Sequence, residues 1–310
     1  MIDNNRVSTD SYEGNSYKII CDDCLHAMKK ISENAIDLYI ADPPYWKVIG
    51  EKWDYLWKTE DDYIAWCIPW LQEIYRTLRY GGTFYLFGYF RTLCLLIPFL
   101  RECGFVLRQQ IILNKGMRSV SGRATKNYKL FPNVTESILF LIKDNIPFSR
   151  NFLKQQQTKK QITAKEINEA LGVKSNGGGM WSIYTGKNVC EQFPTAELWD
   201  KLQYILDFNY PYCKISQTFN PQMGVTDVWD DIDFYSEQRF HPTQKPQKLL
   251  TRLILASSNE GDRIVDPFAG SGSTLLAARR LNRKCIAIEK DPTFYDTIVS
   301  RIQEEEDKLL

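Results

Sequence analysis

Two short segments carry side chains spaced for chemistry. The first is Asp42-Pro43-Pro44-Tyr45, which follows the apolar run Ile36 to Ala41. Proline cannot donate to a sheet ladder, so a strand must stop there. That leaves a carboxylate and an aromatic ring at a carboxyl end, the edge where open α/β sheets bind ligands. Such a group suits a planar ring bearing an amino group. Asp42 accepts one N–H, a backbone carbonyl freed by the prolines accepts the other, and Tyr45 offers a stacking face. A capped proline turn is the plainer alternative.

The second segment is Asp266-Pro267-Phe268-Ala269-Gly270-Ser271-Gly272-Ser273-Thr274. It follows a short apolar run and opens a helical pattern. Gly270 and Gly272 let the backbone approach a ligand, and the helix start offers free N–H groups. A structural turn is again the alternative. The segment lacks the third glycine of G-x-G-x-x-G and the G-K-[ST] of a P-loop, which disfavours dinucleotides and nucleoside triphosphates. Glu289 ends the next apolar run and can accept hydrogen bonds from both ribose hydroxyls. A nucleoside without a pyrophosphate fits this pair, and S-adenosylmethionine is one. Cys21-Asp22-Asp23-Cys24, with His26 nearby, is at most half a zinc site. No second C-x-x-C exists and the only other histidine is His241, so no metal is expected.

The elements that must hold these segments follow from alternating apolar runs and helical patterns, the mark of a parallel α/β sheet. Strands are predicted at 17–21, 36–41, 83–87, 105–113, 134–142, 263–265 and 284–288. Helices are predicted at 25–31, 61–78 (stopped by Gly81-Gly82), 91–103, 246–257, 274–281 and 293–306. Residues 143–165 are polar and rich in Lys and Gln, and helical stretches and loops follow to about Gln238. The pattern implies one discontinuous α/β domain, 1–148 plus 236–310, interrupted by an insert at 149–235.

Composition limits the alternatives. With 44% hydrophobic and 25% charged residues among 310, the chain is globular rather than disordered. Thirty-nine Lys and Arg against 38 Asp and Glu argue against a uniformly basic nucleic-acid coat. No run approaches the roughly 18–20 apolar residues of a membrane span. The first residues lack a signal peptide's pattern, and the scattered cysteines read as reduced thiols. A cytoplasmic location, in a prokaryotic cell or phage-infected host, is expected.

Taken together, D-P-P-Y near the start and D-P-F-A-G-S-G near the end resemble the DNA amino-methyltransferases. The order, catalytic motif first, looks like the beta group of that family. His241-Pro242-Thr243-Gln244-Lys245-Pro246 matches the segment before the cofactor motif in that group. Cys21-Asp22-Asp23-Cys24-Leu25 is similar to its G-D-C-L segment, with Asp22 in place of glycine. The resemblance covers roughly 1–145 and 238–310. It implies a Rossmann-like methyltransferase fold with a mostly parallel seven-stranded sheet in permuted motif order, and S-adenosylmethionine as cofactor. It makes Asp42, Pro43, Pro44 and Tyr45 the catalytic loop. Asp23, Cys24, His241, Thr243, Lys245, Asp266, Phe268, Gly270, Gly272, Ser273, Thr274 and Glu289 become the cofactor site. Asp23 would meet the adenine, Glu289 the ribose, and Asp266, Thr243 and Lys245 the methionine end. Trp46 either walls the base pocket or belongs to the core.

The positive charge is uneven. Arg108 to Lys165 holds twelve Lys and Arg, opposed only by Glu136 and Asp144, a phosphate-binding footprint. Arg118, Arg123, Lys126 and Lys129 lie in its central loop, Lys159 and Lys160 near its end. Residues 162–187, with the second helical stretch closing at Gly186 and Lys187 a further expected DNA contact, look like a helix-turn-helix pair or an ordinary helical insert. Residues 194–206 form a possible supporting helix. The expected activity is N6 methylation of adenine in a short double-stranded DNA sequence, with a flipped base. N4 methylation of cytosine is the runner-up, and an RNA amino-methyltransferase a third enzyme reading. An inactive DNA-binding regulator and a dinucleotide oxidoreductase are the rivals from other classes. The resemblance also brings a homodimer and a cognate restriction endonuclease among the expected partners.

Overall fold

The computed structural model describes residues 10–46, 56–120, 129, 131–172, 179–186, 191–241 and 244–308. Among the described residues nine strands form one sheet: β1 (Asp10–Gly14), β2 (Tyr17–Cys21), β3 (Ile36–Ala41), β4 (Leu78–Gly88), β5 (Phe105–Asn114), β6 (Thr135–Lys143), β7 (Val228–Trp229), β8 (Arg263–Asp266) and β9 (Lys284–Glu289). Their order is β1-β2-β9-β8-β3-β4-β6-β5-β7. The seven expected strands make the body of the sheet, and β1 and β7 extend its edges. β2, β9, β8, β3 and β4 run parallel. β6 runs antiparallel between β4 and β5.

β3 shows why a central parallel strand reads as unbroken apolar sequence. Leu38 and Ile40 enter the core on one face, while Tyr39 and Ala41 enter the core on the other. Helices α1 (Cys24–Met28), α2 (Glu60–Thr77) and α3 (Phe90–Cys103) cover the second face. Helices α8 (Gln247–Ser257), α9 (Ser273–Arg280) and α10 (Pro292–Asp307) cover the first. α2 begins at a capping box, with Thr59 bonded to Asp62 N and Asp62 returning to Thr59 N.

Gly81-Gly82 does not stop α2 as expected from sequence. The helix ends at Thr77, and both glycines lie inside β4. Gly81 has φ +71° and lies against the Ile215 and Ser216 backbone, where a side chain has no room. The polar stretch after β6 is also more ordered than its composition suggests. It forms α4 (Ile146–Lys160), which buries Leu153 and Gln156.

α4, α5 (Ala164–Leu171), α6 (Gly179–Thr185) and α7 (Ala196–Leu206) share their own core of Leu153, Ile167, Leu171, Trp181, Trp199 and Leu202. This unit is rooted at the start of β4. Phe148 stacks on Tyr80 at 4.4 Å, Asn145 donates to Ile215 O at 2.7 Å, and Arg79 donates to Ser216 O at 2.8 Å. Because Ile36 pairs with Leu78 and Ala41 with Leu86, the root lies at the amino edge. At about 3.3 Å per residue it stands on the order of 20 Å along the strands from Asp42.

Candidate active site

The order of strands creates the crevice. β8 and β3 are neighbours, but α9, after β8, packs on one face and α2, after β3, on the other. Their loops part at this topological switch point. Asp42 and Asp266 stand on either side of it, at the ends of adjacent strands. A cavity of about 520 Å³ opens there, lined by the loops after β2, β3, β8 and β9 and by His241, Gln244 and Lys245.

Ten expected cofactor residues line this single cavity: Asp23, Cys24, His241, Lys245, Asp266, Phe268, Gly270, Ser273, Thr274 and Glu289. Asp23 caps α1 by accepting from Leu25 N at 3.0 Å. Asp22, which takes the place of the glycine expected from the G-D-C-L resemblance, needs no left-handed backbone. Burial raises its pKa, but the bonds from His26 and from Asp23 N outweigh it and the net shift is down. Glu289 is held by two backbone donors, Gly270 N at 2.7 Å and Asp291 N at 2.8 Å. Burial still raises its pKa. Asp266 accepts from Phe268 N at 3.0 Å, and burial pushes its carboxyl up to about 7. His241 lies edge-on to Phe294 at 4.3 Å. Burial, with Lys245 nearby, lowers its pKa to about 4.

Gly272 does not line the cavity. It caps α9 with φ +79°, and an added Cβ would stand 2.8 Å from Ile298 Cγ2. Its need for glycine comes from packing on α10. Thr243, Arg123, Lys126 and Lys187 lie outside the described residues. Trp46 packs on the α1–α3 core, with its indole N–H donating to Trp57 O at 2.9 Å. Trp57 and Trp66 line the cavity instead.

At the catalytic loop, Tyr45 is buried and edge-on to Tyr89 at 5.4 Å. Its hydroxyl lies 2.5 Å from Asp42 Oδ1 and 2.6 Å from Glu136 Oε1. Lys245 Nζ lies 2.6 Å from Asp42 Oδ2 and 3.0 Å from Glu136 Oε1. Lys115 Nζ reaches Glu136 Oε2 at 3.1 Å. Burial raises the Asp42 pKa against the pull of Lys245. Burial also acts to raise Glu136, but Lys245 and Lys115 bring it down to about 2. Glu136 was absent from the expected site. Its signal was available: a lone acid in the apolar strand 134–142, within the basic stretch. A charge in such a strand needs buried partners.

The basic stretch loses members to structural work. Lys143 is buried, donating to Asn34 Oδ1, Tyr75 O and Leu78 O at 2.8, 2.7 and 2.9 Å. Lys115 serves Glu136, and Arg150 pairs with Glu191. Arg118, Lys129, Lys159 and Lys160 remain exposed, Lys160 with Asp207 at 3.3 Å. Arg118 and Lys129 fall between β5 and β6, which are joined at the carboxyl edge. Among the described residues no helix is long and apolar enough to cross a membrane.

An open α/β sheet with a nucleoside-sized crevice at its switch point, and carboxylates at the ends of β3, β8 and β9, defines a Rossmann-like methyltransferase fold. The family model described as DNA methylase matches residues 36–300, and the chain belongs to that family. It is 30% identical over 286 residues to the DNA adenine methyltransferase YhdJ of Escherichia coli (strain K12), covering 89% of this chain and 79% of that one. The solved structure of an M1.HpyAVI–SAM complex aligns with TM-score 0.53 at 19% identity, over 92% of this chain and 99% of that one. The PvuII DNA methyltransferase, described as cytosine-N4-specific, aligns with TM-score 0.55 at 16% identity, over 94% and 87%.

Proposed function

We propose that this protein transfers a methyl group from S-adenosylmethionine to the N6 amino group of adenine within a short sequence of double-stranded DNA. The observation that carries the reading is the placement of Asp42. Its carboxylate ends β3 and faces the same cavity as the loops after β8 and β9. The relative named as an adenine methyltransferase supports the choice of base.

The residues present fit the cofactor. The cavity falls within the roughly 300–1,000 Å³ of small-molecule sites. Glu289 is fixed by two backbone N–H groups and keeps lone pairs for ribose hydroxyls. Gly270 has φ +52° with only ordinary contacts around an added Cβ, so its backbone presents an open cradle. Among the described residues, the buried Ser273 Oγ at the head of α9 has no hydrogen-bond partner. Asp23, Phe268, Gly270 and Glu289 would hold the nucleoside. When bound, the cofactor supplies an electrophilic methyl group on its sulfonium.

The chain's own residues act on the base. The N6 lone pair is delocalised into the adenine ring and is a poor nucleophile. Asp42 and the Pro43 carbonyl accept the two amino N–H groups, which localises the lone pair and stabilises the charge that develops on nitrogen. The same two acceptors fix the nitrogen's direction. Asp42 lies in a crevice that a stacked base cannot enter, so the target is flipped out of the duplex. Arg118 and Lys129 are placed to hold phosphates, and the helical unit formed by α4–α7 is the proposed target-recognition insert.

Incubation with duplex DNA and methyl-labelled S-adenosylmethionine, followed by nucleoside analysis, tests the reading. Label in N6-methyl-2′-deoxyadenosine is expected. Label in N4-methyl-2′-deoxycytidine moves the reading to the other amino base, and no label in DNA overturns it.

A further inference from the structure

Resting on this reading, we propose that Glu136 is a positioning residue that takes over the hydrogen bonds of Asp42 when the target amino group arrives. In the free protein both Asp42 oxygens are engaged. Oδ1 faces the Tyr45 hydroxyl and Oδ2 the Lys245 ammonium. Each oxygen keeps a second lone pair, but an arriving amino group competes with these donors for the carboxylate and weakens their bonds. A buried hydroxyl or ammonium left without an acceptor is costly.

Glu136 is in contact with both of these donors. Its Oε1 lies 2.6 Å from the Tyr45 hydroxyl and 3.0 Å from Lys245 Nζ. Tyr45 carries one hydroxyl hydrogen, so it serves one carboxylate at a time. With the hydrogen on Glu136, Asp42 Oδ1 is free and no buried donor is orphaned. Glu136 is itself held by backbone and charge. Its strand position pairs with Leu113 of β5, and its other oxygen is fixed by Lys115. The charged or titratable groups around Asp42 are therefore Tyr45 on its own loop, Glu136 from β6, Lys115 beyond β5, Lys245 before α8 and Asp266 from β8.

Glu136→Gln keeps an acceptor at this position and removes the charge. The expected result is a fall in kcat of about ten-fold or more, with cofactor affinity and KM for DNA little changed. The acid limb of the kcat profile moves to lower pH, because Asp42 loses a like-charged neighbour. Combining Glu136→Gln with Tyr45→Phe costs less than the product of the two single losses, because both remove one shared bond. A folded Glu136→Gln enzyme with wild-type kcat and acid limb overturns the proposal, as does full multiplicativity. An independent test uses the unaltered protein bound to S-adenosylhomocysteine and a target duplex. Tyr45 Oη must stay within hydrogen-bond distance of Glu136 and leave Asp42, and the opposite arrangement sinks the idea. A wild-type enzyme that methylates no DNA defeats the proposed function and this role with it. An active wild type matched by Glu136→Gln defeats this role alone.

Discussion

Lys245 Nζ and Asp42 Oδ2 meet at 2.6 Å across 203 residues of sequence. The contact ties the loop before α8 to the catalytic loop and keeps Asp42 an acceptor. Burial alone raises the Asp42 pKa, and Lys245 opposes that rise. In Lys245→Met the carboxyl is left beside Glu136 with no cation of its own. It then takes up a proton, and a protonated carboxyl can no longer accept from the amino group on that oxygen. Activity near neutral pH is expected to fall about 100-fold and to recover partly as pH rises. Breaking a buried pair from one side also costs about 3–5 kcal/mol of stability. The pH profile of kcat and urea denaturation check the two effects separately.

Asp42→Ala removes the principal acceptor but touches no proposed contact to the nucleoside. Lys245 keeps Glu136 at 3.0 Å, so the site is not left with an unpaired cation. Methyl transfer should drop by about 100-fold or more, while S-adenosylmethionine binding by calorimetry stays near wild type. Loss of binding would place Asp42 in the cofactor site instead.

Asp266 gives a pH dependence of stability. Burial raises its folded-state pKa to about 7 from the 3.8 of an ordinary aspartate. Between these values the native state holds a proton that the unfolded chain has released. Stability is therefore fully present below about pH 4 and is lost as pH rises toward 7, by at most about 1.4 kcal/mol per unit. Asp266→Asn keeps the acceptor for Phe268 N and removes the titration. Urea midpoints at pH 5 and pH 8 should differ less in Asp266→Asn than in wild type.

Gly270 and Gly272 look alike in sequence and have different reasons to be glycine. Gly272→Ala combines a left-handed φ with a Cβ 2.8 Å from Ile298, whereas Gly270→Ala meets nothing closer than 3.6 Å. Both changes carry the roughly 1 kcal/mol of left-handed strain. Gly272→Ala should add an overpacking cost of about 1–3 kcal/mol, seen in thermal unfolding and partly relieved by Ile298→Ala, which removes the contacting Cγ1 and Cγ2. Gly270→Ala should instead weaken cofactor binding more than stability.

These cases show what was legible in the sequence. β3, α3 and β9 were readable because each carries its own start, stop and period: apolar runs ended by Asp42-Pro43, by Gly104 and by Glu289. The D-P-P-Y and D-P-F-A-G-S-G loops were readable because proline and glycine punctuate strand ends. Glu136 was harder, since its meaning depends on β6 lying beside β4 and bringing it to Tyr45 and Lys245, a pairing no local pattern encodes. Gly81 looked like a helix stop because its true constraint is the Ile215 backbone, distant in sequence. α4 was missed because it buries few apolar side chains, mainly Phe148, Phe152 and Leu153, and its polar residues outnumber them. The twelve cations of 108–165 read as one footprint because charge counting cannot see that Lys143 is buried among carbonyls.

The remaining cations divide by position, and this division can be measured. Arg118 and Lys129 fall between β5 and β6, which are joined at the carboxyl edge. Lys159 and Lys160 end α4, in a unit rooted at the amino edge. If a flipped base enters at Asp42, the duplex must lie over the carboxyl edge, and phosphate contacts nearest the target come from Arg118 and Lys129. Arg118→Ala and Lys129→Ala should each weaken binding uniformly across sequences and reduce the salt slope of log K by about one. Lys159→Ala with Lys160→Ala tests whether α4 also reaches the duplex, as a recognition insert requires. An unchanged salt slope in that pair, together with unchanged sequence preference on deletion of residues 162–187, would remove the insert from DNA reading and leave recognition to the carboxyl-edge loops.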